Sequence, residues 1–218
     1  CSGLVGSEMC IRDSSRTVVV GSPDTFVWGL LYDPNRMAGL QVLLQGLLSG
    51  ATVIAPPLDD SLRSRIDTLV GAGVNAVSAT PSLWRQILQL PITKTWDLRQ
   101  ITLGGEIADQ SVLDALGARF PDARVVHVFA STETGAAFSV RDGRAGFPLS
   151  YLDDPPRGVS LQIRDEILHV HSPGVSTAGD DGFASTGDVV EIVDDRVLFR
   201  GRSSGCLLYT SPSPRDRY

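Results

Sequence analysis

The stretch RVVHVFASTETG, residues 124–135, decides the fold of this protein. Residues 124–129 form a predicted strand that is largely apolar without strict alternation, and a loop rich in hydroxyl side chains follows it directly. Strands of this kind are typical of a parallel sheet that is covered on both faces. Ligands of parallel sheets bind at the carboxyl ends of the strands. The stretch therefore predicts the type of sheet and a candidate binding loop at residues 130–135.

Strand and helix patterns alternate on the N-terminal side of this stretch. Further strands are predicted at residues 17–20, 26–32, 51–55, 75–79 and 98–103, and helices at residues 37–48, at 62–70 after N-cap candidates at 59–61, from Pro81 onward, and at 111–120. The apolar stripe of the first helix is broad enough to predict that the helix is largely buried. Past residue 138, short strands between Asp, Gly and Pro turns predict a smaller β-rich subdomain that begins near Gly146. We therefore expect an α/β fold, with helices on both faces of a parallel sheet, followed by the β-rich subdomain.

The composition excludes several classes of protein. The chain has 218 residues, is 42% hydrophobic and carries a net charge of −6, which excludes collagen-like and intrinsically disordered chains. No apolar run approaches the ~18 residues of a membrane span, so none is predicted. The negative net charge argues against a nucleic-acid partner, because phosphate binding needs a basic surface. Lys94 is the single lysine, which restricts any mechanism that needs a lysine.

The two ends of the chain do not follow these patterns. Residues 1–14 and 206–218 resemble translated sequencing-adaptor sequence and are predicted to be non-native scars, with natural disordered tails as the alternative. They contain all the cysteines, so the sequence predicts no disulfide framework or metal site from them. We expect the reading frame to be cut at both ends. The remaining chain is divided into an α/β subdomain at residues 15–145 and a β-rich subdomain at residues 146–205.

The loop at residues 130–135 has a functional and an ordinary interpretation. Its hydroxyl and backbone N–H groups can hold a phosphate, and Glu133 can bind Mg²⁺. Equally, Ser131 or Thr132 can cap a helix whose dipole favours Glu133 nearby. The loop alone does not decide between these interpretations.

Two further motifs are equally ambiguous when each is taken alone. Gly104, Gly105 and Glu106 follow a predicted strand, where glycines permit a tight turn or the close approach of a ligand. Asp188 ends a Ser-Thr-Gly-Asp run and can accept both hydroxyls of a ribose, and Arg202 can donate to hydroxyl or phosphate oxygens. No dinucleotide fingerprint and no P-loop motif is present.

The order and spacing of these motifs resemble the adenylate-forming superfamily of acyl-CoA synthetases, peptide-synthetase adenylation domains and luciferases. The matching elements are Pro-Ser at 81–82, GGE at 104–106, FASTE at 129–133, STGD at 185–188 and FRGR at 199–202. The resemblance covers residues 16–205. It implies that the chain contains part of the large N-terminal domain of such an enzyme, up to its hinge.

The resemblance also implies roles for individual residues. It implies that Phe129 packs on adenine, that Thr132 contacts the α-phosphate and that Glu133 binds Mg²⁺, with Thr132 and Glu133 as the catalytic pair. Residues 28–39 would form a wall of the acyl pocket. The remaining residues of the implied nucleotide site are Gly104, Gly105 and Glu106 beside the adenine and acyl pocket, Ala130 and Ser131 in the loop, Asp188 on the ribose hydroxyls, and Arg202 on the ribose or phosphate.

The chain departs from the family pattern at several places. Ala130 replaces a glycine, and Arg36 precedes Met37 where acyl-CoA synthetases often have a nearby histidine, which leaves the thiol chemistry open. Ser204 stands at the hinge position of an acidic or basic residue. The family's lysine-bearing phosphate loop and its C-terminal domain with a catalytic lysine are expected outside residues 16–205. Lys94 matches neither lysine and is predicted to be a solvated loop charge.

The implied function is that of an AMP-forming acid–thiol ligase. Such an enzyme uses ATP and Mg²⁺ to convert a small carboxylic acid to acyl-AMP and then transfers the acyl group to a thiol. The thiol is expected to be coenzyme A, with a carrier-protein thiol as the alternative, and the expected location is the cytoplasm. This chain alone is expected to be inactive. A non-catalytic nucleotide-binding fragment and a doubly wound enzyme such as a dehydrogenase are the competing hypotheses.

Overall fold

The computed structural model describes residues 26–131, 135–172 and 181–203. The strands in that part of the chain are β1 (Val27–Leu30), β2 (Thr52–Ile54), β3 (Ala76–Ala79), β4 (Gln100–Leu103), β5 (Arg124–Ser131), β6 (Gly135–Val140), β7 (Phe147–Pro148), β8 (Ser160–Arg164), β9 (Ile167–His171), β10 (Ala184–Val193) and β11 (Arg196–Arg202). The helices are α1 (Met37–Leu48), α2 (Leu62–Gly71), α3 (Pro81–Leu88) and α4 (Gln110–Arg119), with short 3₁₀ turns at Pro91–Thr95, Leu149–Leu152 and Pro156–Gly158.

The first sheet has the strand order β2-β1-β3-β4-β5-β6. Strands β1 to β5 pair in parallel, as the unalternating apolar strands predict. Strand β6 returns antiparallel to β5, with Phe129 opposite Phe138, and the sequence patterns did not indicate it. The chain passes from β1 outward to β2 and then back to β3 on the other side of β1. The strand order therefore reverses between β1 and β3.

Helices cover both faces of this sheet, in agreement with the prediction. Trp28 and Leu30 of β1 pack with Val42 of α1 in one apolar cluster. Because side chains alternate along a strand, Val77 of β3 and Ile101 of β4 point to the opposite face, where they belong to a second cluster. Helices α2, α3 and α4 contribute to this second cluster through Leu69, Trp84, Ile87, Val112 and Leu116.

Capping residues fix where these helices begin. The Ser61 hydroxyl accepts a hydrogen bond of 3.2 Å from the Ser64 amide at the start of α2, so Ser61 is the N-cap among the predicted candidates. Thr80 caps α3 in the same way, and Pro81 occupies the first helical position as predicted. The Asp109 carboxylate caps α4 through the Val112 amide at 3.0 Å.

The second sheet is antiparallel, with the order β7-β11-β10-β9-β8. It is the smaller β-rich part that the sequence predicts, and its buried side chains pack with those of β6 in a third apolar cluster. At Gly146, which enters β7, the backbone has a φ of +68°, and a Cβ atom there would lie 2.1 Å from the Val197 carbonyl oxygen. Only glycine fits at this close approach to β11. The exact boundaries of the two subdomains stay a prediction.

The burial predicted for α1 is wrong. The bounds of the helix are as expected, but Leu47 and Leu48 are 63% and 60% exposed, and the neighbouring strand β2 lies at the edge of the sheet. The buried side of α1 consists of Gly39, Val42 and Gly46, because Gly39 lets the helix approach the turn at residues 33–34 closely and Gly46 lets it approach Val53 of β2. The apolar stripe is therefore wider than the surface it covers.

Some predictions lie outside the described residues. These are the strand at residues 17–20 and both predicted scars, at residues 1–14 and 206–218. Within the described part of the chain, no helix combines the length and the apolar character needed to cross a membrane.

Candidate functional site

The candidate site lies at the carboxyl ends of β1, β3, β4 and β5. An open α/β sheet forms a crevice where its strand order reverses, and here this reversal falls between β1 and β3. The segments that leave these strand ends are the turn after Leu30, the start of α3, the Gly104–Glu106 turn and the end of β5. Several of the predicted site residues are therefore adjacent to the reversal.

The Gly104-Gly105-Glu106 turn is held against the first turn of α3. Gly105 has a φ of +79°, a conformation that glycine adopts without strain, and the Gly104 amide donates to the Ala79 carbonyl at 3.3 Å. The Glu106 carboxylate accepts a hydrogen bond of 2.9 Å from the Ser82 amide. A carboxylate is favoured at that position because free amides and the helix dipole make a helix N-terminus electropositive. Glu106 thus joins the ends of β3 and β4.

Beside this turn lies a polar pair that the sequence analysis missed, a partly buried tyrosine and a buried serine. The Tyr32 hydroxyl forms a hydrogen bond with Ser78 of β3, and Glu106 lies near enough to act on it electrostatically. Burial raises the pKa of Tyr32 well above its ordinary value, the Ser78 hydrogen bond partly offsets this, and the Glu106 charge raises the pKa further. Tyr32 is therefore a neutral hydroxyl. It lies in the segment predicted to form a wall of the acyl pocket, and no local pattern pointed to Ser78.

The Phe129 ring packs between aromatic rings of its own chain. Its centroid lies 5.2 Å from that of Phe138 and 5.3 Å from that of Phe199, with nearly parallel planes in both pairs. Phe199 belongs to β11, so this stack connects the two sheets. The predicted contact of Phe129 with adenine stays a prediction.

The rest of the 130–135 loop is only partly described. Ala130 and Ser131 continue β5, with Ala130 opposite Ala136 and a register shift next to Phe129. Thr132 and Glu133, the residues predicted to contact the α-phosphate and Mg²⁺, lie outside the described residues. Among the residues that are described, no three His, Cys, Asp or Glu side chains lie together as a metal site.

Asp188 and Arg202 face each other on the final hairpin of the second sheet. Their Cα atoms are direct partners in the β10–β11 ladder, and Arg202 Nε donates to Asp188 Oδ1 at 3.1 Å. Asp188 is 12% exposed at its side chain and Arg202 is 36% exposed. The Asp188 amide donates to the Thr186 hydroxyl at 3.1 Å, and Arg202 Nη2 donates to the Thr186 carbonyl at 3.1 Å. The result is an oriented carboxylate with a cationic group beside it.

The structure thus brings the predicted site residues together in two groups. One group is the Gly104–Glu106 turn with the start of α3, and the other is the pair of Asp188 and Arg202. Within the described residues no hydrogen bond or ion pair joins the groups directly. The stack of Phe129 on Phe199 connects the sheets that carry them.

Comparison with known proteins agrees with this fold. The family described as AMP-binding enzyme matches residues 18–179. Among curated proteins, none matches this sequence.

Similar folds occur among solved structures. ATP-bound MatB from Rhodopseudomonas palustris has a TM-score of 0.67 at 22% identity, over 91% of this chain and 43% of that one. O-succinylbenzoate coenzyme A synthetase (MenE) from Bacillus subtilis, in complex with ATP and magnesium ion, has a TM-score of 0.67 at 15% identity, over 94% and 47%. The luciferase-like enzyme from the mealworm Zophobas morio has a TM-score of 0.64 at 16% identity, over 88% and 52%. The present chain therefore spans about half the length of the proteins that share its fold.

Proposed function

Because the chain belongs to the family of AMP-binding enzymes, we propose that it is part of an AMP-forming acid–thiol ligase. In the first half-reaction a substrate carboxylate attacks the α-phosphate of ATP, forming acyl-AMP and releasing pyrophosphate. In the second, a thiol attacks the acyl carbon, forming a thioester and releasing AMP. The thiol is coenzyme A in this proposal, and the reaction takes place in the cytoplasm, where ATP and coenzyme A are available.

The observation that carries the proposal is the oriented carboxylate of Asp188. A ribose offers two neighbouring hydroxyl donors, and a fixed carboxylate can accept both of them. Arg202 holds the Asp188 carboxylate in a fixed orientation, and its remaining N–H groups can donate to ribose or phosphate oxygens. This pair supports nucleotide binding more directly than any other described group of side chains does.

The residues at the first sheet complete the proposed site. We assign Gly104, Gly105 and Glu106 to the surface beside the adenine and the acyl group. Phe129, Ala130 and Ser131 lead to the phosphate contact at Thr132. The neutral Tyr32 hydroxyl lies at the acyl side of this surface, next to Ser78.

Magnesium fits the proposed donor set. Mg²⁺ is usually bound through one or two carboxylates together with phosphate oxygens and water. Glu133 supplies one carboxylate and ATP supplies the phosphates, so a cluster of several protein ligands is not needed. When bound, the ion neutralises charge on the phosphates, which lowers the barrier to attack by a carboxylate.

Carboxylate-dependent ATP–pyrophosphate exchange in the full protein that contains this chain tests the first half-reaction. A panel of small carboxylic acids should include at least one that supports exchange. Asp188→Asn should reduce exchange about a hundredfold, because the amide donates where the ribose also donates. Asp153→Asn, at an exposed turn, is the matched control and should leave the rate unchanged. The absence of exchange with every acid would refute the ligase assignment.

The identity of the thiol needs a separate assay. Thioester formation is measured with coenzyme A and, in parallel, with a phosphopantetheine-bearing carrier protein. Thioester on coenzyme A alone supports the proposal. Thioester on the carrier alone makes the chain part of an adenylation domain instead.

A second candidate function is nucleotide binding without turnover. The Asp188–Arg202 pair favours it, because contacts to a ribose can hold a nucleotide without any further chemistry. Calorimetry of the 218-residue chain with AMP tests this candidate. Heat of binding without any exchange activity supports it, and the lack of both heat and thermal shift excludes it.

A further inference from the structure

Arg196 is an arginine buried at the start of β11, where no nucleotide contact is proposed. Its side chain is 5% exposed, and its Nη1 atom donates to Asp142 Oδ2 at 2.5 Å. Nη2 donates to the carbonyl oxygens of Arg144, Ala145 and Gly146 at 2.8, 2.9 and 3.1 Å. Burying a guanidinium is costly unless it is paired and fully hydrogen-bonded, and this one is.

All of these partners belong to one short connector, residues 142–146, between β6 of the first sheet and β7 of the second. The same connector is held from the other side by Gln110 at the start of α4. Gln110 Nε2 donates to the Gly143 carbonyl at 2.9 Å, and Gln110 Oε1 accepts from the Ala145 amide at 2.9 Å. The connector is thus clamped between a helix of the first sheet and a strand of the second.

The strand that carries Arg196 also carries the contacts that matter for the proposed site. Phe199, three residues on, stacks against Phe129 of the first sheet. Arg202, at the other end of β11, holds Asp188. Phe199 and Arg202 follow Arg196 on one strand, with a β-bulge between them at the register shift against β10, so fixing Arg196 constrains where both residues lie relative to the first sheet.

We propose that Arg196 is a positioning residue: by binding the 142–146 connector it sets the orientation of β11 against the parallel sheet, and so aligns the Asp188–Arg202 pair with the groups on that sheet. The part of this inference that concerns nucleotide rests on the proposed function. The part that concerns the orientation of the two sheets does not.

The chain provides a matched control in Arg144. Arg144 lies on the same connector, and its guanidinium pairs with Asp195, in the turn before β11, through two hydrogen bonds of 2.8 and 2.7 Å. Both partners of this pair are more than half exposed, at 52% and 68%. Arg196→Met and Arg144→Met therefore remove the same type of group from neighbouring positions and differ in whether it is buried.

The first measurement is the distance between the sheets in the 218-residue chain. Nitroxide labels are attached at Gln86→Cys on α3 and Ile192→Cys on β10, both exposed, with Cys1, Cys10 and Cys206 replaced by serine. Double electron–electron resonance then gives the distribution of distances. We expect Arg144→Met to retain the parental distribution and Arg196→Met to broaden or shift it. Gln110→Leu, which releases the connector from α4, should change it in the same direction.

The second measurement is the affinity for AMP by calorimetry on the same variants. We expect Arg196→Met to weaken binding about tenfold, as substitutions remote from a ligand can, and Arg144→Met to leave it unchanged. Arg196→Lys keeps the charge but not the planar fork, so it should restore part of both the distance distribution and the affinity. If Arg196→Met does not fold, Asp142→Asn keeps the bonds to the carbonyls and should give a smaller change of the same sign.

The outcomes separate the inference from the proposed function. A folded Arg196→Met with the parental distance distribution overturns the inference, and so does an altered distribution with unaltered affinity. If the parental chain binds no AMP, the nucleotide-binding proposal fails. In that case an altered distance distribution still supports the role of Arg196 in orienting β11.

Discussion

The ring of Phe129, near the end of a parallel strand, lies stacked on the ring of Phe199 in the antiparallel sheet, with planes inclined by 9°. Phe199 also packs at 5.7 Å against Phe147, which is fully buried. The two sheets therefore share an aromatic contact, and both rings pack against the same apolar cluster.

Phe199→Ala should lower the free energy of unfolding by about 2 kcal/mol, because it removes a stacked and partly buried ring. Urea unfolding is followed by tryptophan fluorescence and by circular dichroism. Trp28, Trp84 and Trp96 all lie in the first part of the chain, so their fluorescence reports on the parallel sheet. We expect the fluorescence transition to shift as much as the dichroism transition, although Phe199 belongs to the other sheet.

The control for this prediction is Ile192→Ala. Ile192 is 53% exposed on the neighbouring strand, and its truncation should change stability by no more than about 0.5 kcal/mol. A Phe199→Ala protein in which the fluorescence transition stays in place would mean that the sheets unfold independently.

Gly39→Ala should destabilise the protein, whereas Gly117→Ala should stabilise it. A Cβ atom at Gly39 would lie 2.1 Å from the Asp33 carbonyl oxygen and 2.9 Å from the Pro34 Cα, both backbone atoms that have little room to move. We expect a loss of at least about 2 kcal/mol from this overlap. At Gly117, in the last turn of α4, no atom lies within 4 Å of the added methyl group.

Gly117→Ala should therefore add about 0.5–1 kcal/mol through the lower entropy of the unfolded chain. Both free energies of unfolding are measured in urea under identical conditions. Equal effects of the two substitutions would contradict the close approach of α1 to the turn at residues 33–34.

Helices α3 and α1 differ in how much of their structure the sequence predicts. For α3, Pro81 alone predicts the start, and the prediction is confirmed. For α1, the apolar pattern gives the bounds but not the burial, because burial depends on how closely Gly39 and Gly46 let the helix approach its sheet. Local sequence signals are thus sufficient to predict where α3 begins, whereas the burial of α1 is decided by tertiary packing.

The candidate site shows the same limit. The positions of Gly104 and Gly105 after a strand could be predicted from the order of residues alone. The bond from the Ser82 amide to Glu106 joins residues 24 apart, and the pairing of Tyr32 with Ser78 depends on two strands lying side by side. The cluster around Arg196 joins residues about 50 apart in sequence. Motif order indicates which residues belong to a site, but contacts across strands require the fold.

His127 should make stability depend on pH between about 4 and 6.5. Burial lowers its pKa from 6.5 to about 4; Asp142 opposes this shift, Arg196 adds to it, and a hydrogen bond with the Gly146 backbone opposes it. In this pH range the unfolded chain binds a proton at His127 that the folded chain does not. The free energy of unfolding is therefore not reduced by His127 above pH 6.5, and it decreases as the pH falls toward 4, by up to about 3 kcal/mol.

His127→Gln should remove this pH dependence, while His169→Gln, on the half-exposed side of β9, should retain it. A His127→Gln protein with the parental pH profile would assign the dependence to other groups.

Arg202→Met should weaken AMP binding and also lower the stability of the protein. Arg202 donates to Asp188, the carboxylate assigned to the ribose, and its side chain is 36% exposed. Loss of a charged hydrogen-bond donor at a ligand reduces affinity about tenfold or more. Because Asp188 is only 12% exposed and loses its cationic partner, the free energy of unfolding should also fall, by about 1–3 kcal/mol.

Arg200→Met provides the comparison on the same strand. Arg200 pairs with Glu191 at 2.6 Å, and both side chains are about half exposed, so the substitution removes a more exposed ion pair two residues away. Its effect on stability should be smaller than that of Arg202→Met, no more than about 1 kcal/mol, and its effect on AMP affinity should be absent. Calorimetry with AMP and urea unfolding of the two variants measure both quantities. If both substitutions weaken AMP binding equally, the effect is one of general charge, and the specific role of the Asp188–Arg202 pair is excluded.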